Sequence, residues 1–199
     1  MDYVPLRERN RQRTFQRIID AAFTLFRTLG YDQTTMDAIA EKAEVSRGTL
    51  FNYFPTKQAL LMPFANRVYL ERVQPEVQSY LNTQPTTFQA LRFLFTSIHE
   101  HILTLPDIHR ALEQEFLHSQ LQPATMEAKT GFFENLLTIF QYGQQRGEVR
   151  TDIPLEKLAR YVGVLYVSLL FNPVEQCPPA NYTAEVDDLL IFLTPALNP

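Results

Sequence analysis

Two short helical patterns separated by only a few residues constrain this chain more than any other feature. Residues 34–57 are TTMDAIAEKAEVSRGTLFNYFPTK, with helical patterns over 36–43 and 47–54. A connection of roughly three residues makes two such helices cross at a steep angle. An amphipathic segment, 11–29, precedes them and ends at Gly30, a residue typical of helix ends. The apolar contacts between the second and third helices are predicted at Ile39, Ala40, Ala43, Val45 and Leu50.

The third of these helices carries residue types suited to DNA on its outward face. Arg47 can donate two hydrogen bonds to guanine, and Asn52 can recognise adenine or hold a phosphate. Gly48 lets the backbone approach closely, and Phe51 can pack on a thymine methyl group. Nearby hydroxyl and ammonium groups are of the kinds that hold phosphates. The predicted DNA-binding residues are Thr35, Met36, Ser46, Arg47, Gly48, Thr49, Phe51, Asn52, Tyr53 and Lys57. The alternative is that the aromatic residues here belong only to a core.

Residues 11–62 also match a known family pattern at many fixed spacings. The matching residues are Ile18/Ile19, Ala22, Phe26, Gly30-Tyr31, Thr34-Thr35, Ile39-Ala40, Ala43, Val45-Ser46, Gly48-Thr49-Leu50, Tyr53-Phe54, Lys57 and Leu60-Leu61. This segment resembles the tetracycline-repressor (TetR) family of bacterial regulators. The resemblance implies a homodimer whose third helices enter successive major grooves of a palindromic operator. It also implies a ligand in the C-terminal core that shifts the helix spacing and releases the DNA.

Two residues depart from the family pattern. Glu44 stands where the family usually has glycine, at the turn between the second and third helices. If φ is positive there, Glu costs about 1 kcal/mol relative to Gly. Phe51 replaces the usual tyrosine. A polar contact at that position is therefore in doubt, whereas an apolar contact is not.

The rest of the chain has helical periodicity and no alternating strand pattern of useful length. We therefore predict an all-α protein of about nine helices. Its expected domains are an N-terminal helix-turn-helix DNA-binding domain with a basic arm, residues 1–57, and a helical-bundle effector-binding and dimerisation domain, residues 58–199. Pro63 and Pro75 lie in the fourth helix, where each should kink or break it. We expect these bends to carry changes in the core to the DNA-binding domain.

Two apolar helices near the C-terminus suggest a dimer interface. Residues 161–171 are apolar nearly all round a helix, and the last helix is suited to lie beside them. Two copies would give a four-helix interface with the two-fold symmetry that a palindrome requires. The predicted interface residues are Val162, Leu165, Leu169, Val186, Leu189, Leu190 and Leu193. The alternative is that these side chains form only the chain's own core.

Aromatic residues between 88 and 140 could line an apolar pocket, although an ordinary core would have the same composition. The candidate ligand contacts are Phe95, His99, Ile102, Phe116, Phe133, Phe140 and Tyr166. His99 lies on an apolar helix face and could be the polar anchor of the pocket. His99 and His101 point to different sides of a helix, so we expect neither a metal nor a cofactor.

Charge and composition fit a DNA-binding regulator. Residues 1–60 carry nine Lys/Arg and seven Asp/Glu, whereas the remainder carries nine and fifteen. No phosphate-binding glycine loop or catalytic motif occurs, so an enzyme is not expected. The apolar run 161–171 is shorter than the roughly 20 residues that span a bilayer, and we expect a cytoplasmic protein without a membrane partner. The alternative function is a DNA-binding regulator without a small-molecule effector, either architectural or controlled by a protein partner.

Overall fold

The computed structural model describes residues 5–103, 105–119, 131–170 and 181–199, without the side chains of 103 and 116–119. Nine helices and no strand occur within these ranges, so the all-α prediction is confirmed. They are α1 (Leu6–Leu29), α2 (Met36–Lys42), α3 (Arg47–Tyr53), α4 (Leu61–Val68, then a π turn Tyr69–Val73 and Gln74–Leu81), α5 (Thr87–Ile98, then a π turn His99–Leu103), α6 (Pro106–Ser119), α7 (Gly131–Gln145), α8 (Leu155–Leu170) and α9 (Tyr182–Leu197). None of the described helices is both long enough and apolar enough to cross a membrane.

The chain divides into two compact units. The N-terminal unit contains residues 1–65 and 105–115, and the C-terminal unit contains 66–104 and 116–199. The N-terminal unit thus extends beyond the expected boundary at residue 57. Buried Leu60, Leu61 and Phe64 explain the extension, because the ring of Phe64 lies 5.5 Å from that of Phe26 on α1. Sequence periodicity does not show which core such residues join.

Side-chain caps set the starts of α2 and α3. The hydroxyl of Thr35 accepts a hydrogen bond from the backbone N–H of Ala38, and that of Ser46 accepts one from Thr49. Both are ordinary N-caps, which satisfy a backbone donor that the first helical turn leaves unpaired.

The two prolines of α4 do not end the helix. Pro63 is the third residue of α4, where the helix has no use for its missing N–H. Pro75 is the second residue after the π turn Tyr69–Val73, in which hydrogen bonds span five residues and the N–H of Gln74 reaches the carbonyl of Tyr69. The helix therefore continues past both residues, and the expected break is wrong.

Candidate nucleic-acid interface

The outer face of α3 is open to solvent. Leu50 is fully buried and anchors the helix, whereas Arg47, Gly48 and Asn52 are exposed and Phe51 is half-buried. A Cβ added at Gly48 would meet only the hydroxyl of Ser46, at 3.9 Å. The fold therefore does not require glycine at this position. Because Gly48 has no side chain, an external molecule has room to approach the backbone.

Arg47 is held at the edge of this face by two weak contacts. Its guanidinium lies 3.3 Å from the carboxylate of Asp37 and 5.5 Å from the ring centroid of Phe51. Both charged side chains are mostly exposed, so the ion pair contributes little to stability. Arg47 can leave it readily for a stronger bidentate partner, and Phe51 orients it without a hydroxyl group.

The turn between α2 and α3 explains how Glu44 is tolerated. Glu44 has φ 51°, and the N–H groups of Glu44 and Val45 bind the carbonyls of Glu41 and Ala40. These two bonds form a Schellman motif, which places Glu44 at the position that glycine favours. Arg17 on α1 donates to the carbonyls of Ala43, at 3.0 and 2.5 Å, and Glu44, at 2.6 Å. Sequence reasoning missed Arg17, because nothing local connects it to a turn so far along the chain.

Lys57, a predicted phosphate contact, donates its hydrogen bonds within the protein in this structure. Its ammonium donates to the carbonyls of Tyr31 at 2.8 Å, Thr34 at 2.9 Å and, more weakly, Asp32 at 3.4 Å. It also lies 4.3 Å from the ring centroid of Tyr31. Burial lowers the pKa of Lys57, an effect that Asp32 opposes. All three N–H donors are thus used to hold the loop that leads into α2.

A second set of contacts holds the same loop from α6. The carboxylate of Asp107 accepts from the N–H of Tyr31, at 2.5 Å, and Arg110 forms an ion pair with Asp32. Desolvation, together with the charges of Asp32 and Glu115, raises the pKa of Tyr31 to about 12. No local pattern predicts these contacts, because they join residues far apart in the chain.

The other predicted DNA-binding residues differ in how much they expose. Thr35 and Ser46 are exposed, and Met36, Thr49 and Tyr53 are half-buried. The hydroxyl of Tyr53 donates to the carbonyl of Arg11 on α1, at 3.3 Å. Tyr53 therefore joins α3 to α1, a role that the prediction of a phosphate contact did not include.

Two of the candidate ligand residues, Phe95 and Tyr166, lie in an aromatic core of the C-terminal unit. Phe95 and Tyr166 stack with centroids 4.0 Å apart, and the Tyr166 hydroxyl donates to the carbonyl of Phe95. Phe140 and Ile102 are buried as well, Phe133 is half-buried, and the side chain of Phe116 lies outside the described residues. Burial raises the pKa of Tyr166.

The ring of His99 stacks on that of Tyr182, with the two ring centroids 3.9 Å apart. The structure thus places Phe95 and Tyr166 in contact and gives His99 an aromatic partner on α9. The sequence signal did not identify Tyr182, whose hydroxyl donates to that of Tyr166 at 2.8 Å.

The predicted interface residues fall into two groups. Four of them are buried within the chain's own core: Val162, Val186, Leu190 and Leu193. Leu165 is exposed, and Leu169 and Leu189 are half-buried. The apolar side chains that do face solvent on α8 and α9 also include Tyr161, Val164, Ile191 and Phe192. Periodicity marked both helices as apolar but could not assign the two sides of each helix.

Comparison with known proteins agrees with this architecture. Residues 18–62 match the family model described as bacterial regulatory proteins, tetR family. The chain is 30% identical to the transcriptional repressor KstR of Mycolicibacterium smegmatis over 109 residues, which are 55% of this chain and 53% of that protein. It is 28% identical to KstR of Mycobacterium tuberculosis over 89% of this chain and 79% of the relative.

A solved structure extends the similarity to both units. FadR of Thermus thermophilus, a TetR-family transcriptional repressor in complex with lauroyl-CoA, superposes with a TM-score of 0.71 at 28% identity. The match covers 90% of this chain and 92% of that one.

Proposed function

The chain belongs to the TetR family of bacterial regulatory proteins, and from that premise we propose that it is a homodimeric repressor. The dimer binds a palindromic operator and releases it when a fatty acyl-CoA binds to the protein. The exposed face of α3 carries the proposal. Arg47 and Asn52 offer the groups that recognise guanine and adenine in the major groove, and Gly48 leaves the backbone free to approach. Ser46 caps the same helix and Thr49 lies in its first turn, and both have hydroxyl groups of the kind that bind the phosphates flanking a groove.

Selection of bound DNA from a random pool tests the operator. We expect an enriched palindrome whose half-sites lie about one helical turn, or a multiple of it, apart, because a two-fold dimer presents two copies of α3. Enrichment of a sequence without two-fold symmetry would contradict the dimeric arrangement. Failure to enrich any sequence would contradict operator binding itself.

The exposed apolar side chains of α8 and α9 support dimerisation. Tyr161, Val164 and Leu165 lie on one side of α8, and Ile191 and Phe192 on α9 are 70% and 67% exposed. Such a patch on packed helices is typical of an interface between subunits. Phe192→Asp should give a monomer in sedimentation, whereas Tyr142→Asp, an equally drastic change at another exposed ring of the same unit, should remain a dimer. If both variants dimerise with the same affinity, this interface is contradicted.

The acyl-CoA effector rests on the similarity to the T. thermophilus repressor. That protein is bound to lauroyl-CoA, and the match spans both units of this chain. The C-terminal unit has a buried aromatic and aliphatic core, whose apolar side chains have the chemistry that an acyl chain requires of its contacts. Operator release should follow addition of lauroyl-CoA but not of coenzyme A or laurate alone. If none of the three changes the affinity for DNA, the regulator without a small-molecule effector becomes the better proposal.

A further inference from the structure

Helix α1 begins earlier than its apolar periodicity predicts. Its first residue is Leu6 rather than Arg11, so the expected basic arm is helical from that point on. Pro5 precedes it with φ −54°, and its carbonyl accepts from the N–H groups of Glu8 and Arg9. A fixed proline φ and an acidic first turn both favour a helix start. The arginines of this segment therefore have defined directions on a helix.

These directions separate the arginines into two groups. At about 3.6 residues per turn, positions 7, 10, 11 and 14 share one side of α1, and positions 9 and 13 lie on the opposite side. Arg7, Asn10, Arg11 and Thr14 line a groove of about 700 Å³ together with Pro5, Glu8 and Tyr53. Neither Arg9 nor Arg13 lines it.

The groove is continuous with the helix that faces the bases. Tyr53 is the last residue of α3, and its hydroxyl bond to Arg11 fixes the position of α1 beside it. Four of the lining side chains are of types that donate hydrogen bonds to phosphate: Arg7, Asn10, Arg11 and Thr14. Glu8 is the acidic residue of the groove, and the two guanidinium groups outnumber it.

We propose that this side of α1, which we call the flanking face (Arg7, Asn10, Arg11 and Thr14), binds the DNA backbone next to the bases that α3 contacts. The proposal rests on the proposed function, because it assumes that α3 enters the operator. Each subunit then adds two arginine–phosphate contacts outside the sequence that it recognises. These contacts raise affinity and its salt dependence without changing base preference.

Two double variants with the same charge change test the flanking face. Arg7→Ala/Arg11→Ala removes its arginines, and Arg9→Ala/Arg13→Ala removes those on the opposite side of α1. Alanine favours helix, so neither pair should shorten α1, and circular dichroism checks this. For a dimer, loss of four phosphate contacts lowers the slope of log K against log salt by about 3.6. Between about 50 and 200 mM salt, wild-type affinity then falls on the order of 100-fold more than that of Arg7→Ala/Arg11→Ala.

Shortening the operator gives an independent measurement. Removal of the base pairs outside the selected palindrome should weaken binding by wild type much more than binding by Arg7→Ala/Arg11→Ala, which keeps only Asn10 and Thr14 of the flanking face. Equal slopes for the two double variants would overturn the flanking face, even if both proteins still select the same palindrome. If wild type selects no DNA at all, the proposed function fails instead, so the two failures are distinguishable.

Discussion

Replacement of Lys57 by methionine separates a structural role from a phosphate contact. The substitution keeps an unbranched side chain over Tyr31 and removes the ammonium that donates to the carbonyls of Tyr31 and Thr34 at 2.8 and 2.9 Å. A hydrogen bond from a charged donor contributes about 1.5–3 kcal/mol, and partial exposure of Lys57 favours the lower value. With two such bonds, we expect the free energy of unfolding to fall by about 3 kcal/mol.

Urea unfolding followed by circular dichroism measures this loss, with Lys157→Met, at an exposed lysine of α8, as the matched control. Operator affinity is measured at several salt concentrations and at a low temperature where both variants are fully folded. We expect Lys57→Met to leave the salt slope unchanged, because its ammonium is already bound within the protein. A slope lower by about one unit per subunit, with the free energy of unfolding unaltered, would refute this reasoning and restore the phosphate contact predicted from the sequence.

Three further substitutions have defined outcomes. Arg47→Ala should weaken operator binding by about 1–3 kcal/mol and relax base preference, and equal losses on operator and random DNA would contradict a base contact. Glu44→Gly should raise the free energy of unfolding by about 1 kcal/mol, because glycine adopts φ 51° without strain; an unchanged midpoint in urea would count against strain at this turn. Desolvation opposes the charge of Glu148, but hydrogen bonds from Thr87 and Arg146 outweigh it and lower the pKa of Glu148. The resulting stability is fully present above the unfolded pKa of about 4.3 and is lost as the pH falls through the lower folded value, so Glu148→Gln should destabilise the protein at pH 7, and this difference should shrink as the pH is lowered below the unfolded pKa. A difference independent of pH would mean that the carboxylate charge is not what stabilises the start of α5.

The sequence by itself determined the local features of the DNA-binding unit. Thr35 and Ser46 are capping residues whose hydroxyls act within a single turn, so local composition was enough to locate α2 and α3. Glu44 was identified by its departure from the family pattern, and the positive φ that makes it unusual is a local property of the helix end. Helical periodicity was enough to predict which face of α3 is exposed, once Leu50 was assigned to the core.

Only the tertiary structure decided which partners the charged side chains take and which side of an apolar helix faces solvent. Lys57 has an ammonium group of the kind that binds phosphate, but in this fold that group donates to three backbone carbonyls from the loop before α2. Val162 and Leu165 belong to the same apolar run, yet one is buried in the chain's own core and the other is exposed. Composition is similar on both sides of α8, and only the packing of neighbouring helices distinguishes them. Long-range contacts of this kind are not encoded in any short segment, which is why periodicity determined the helices but not their surroundings.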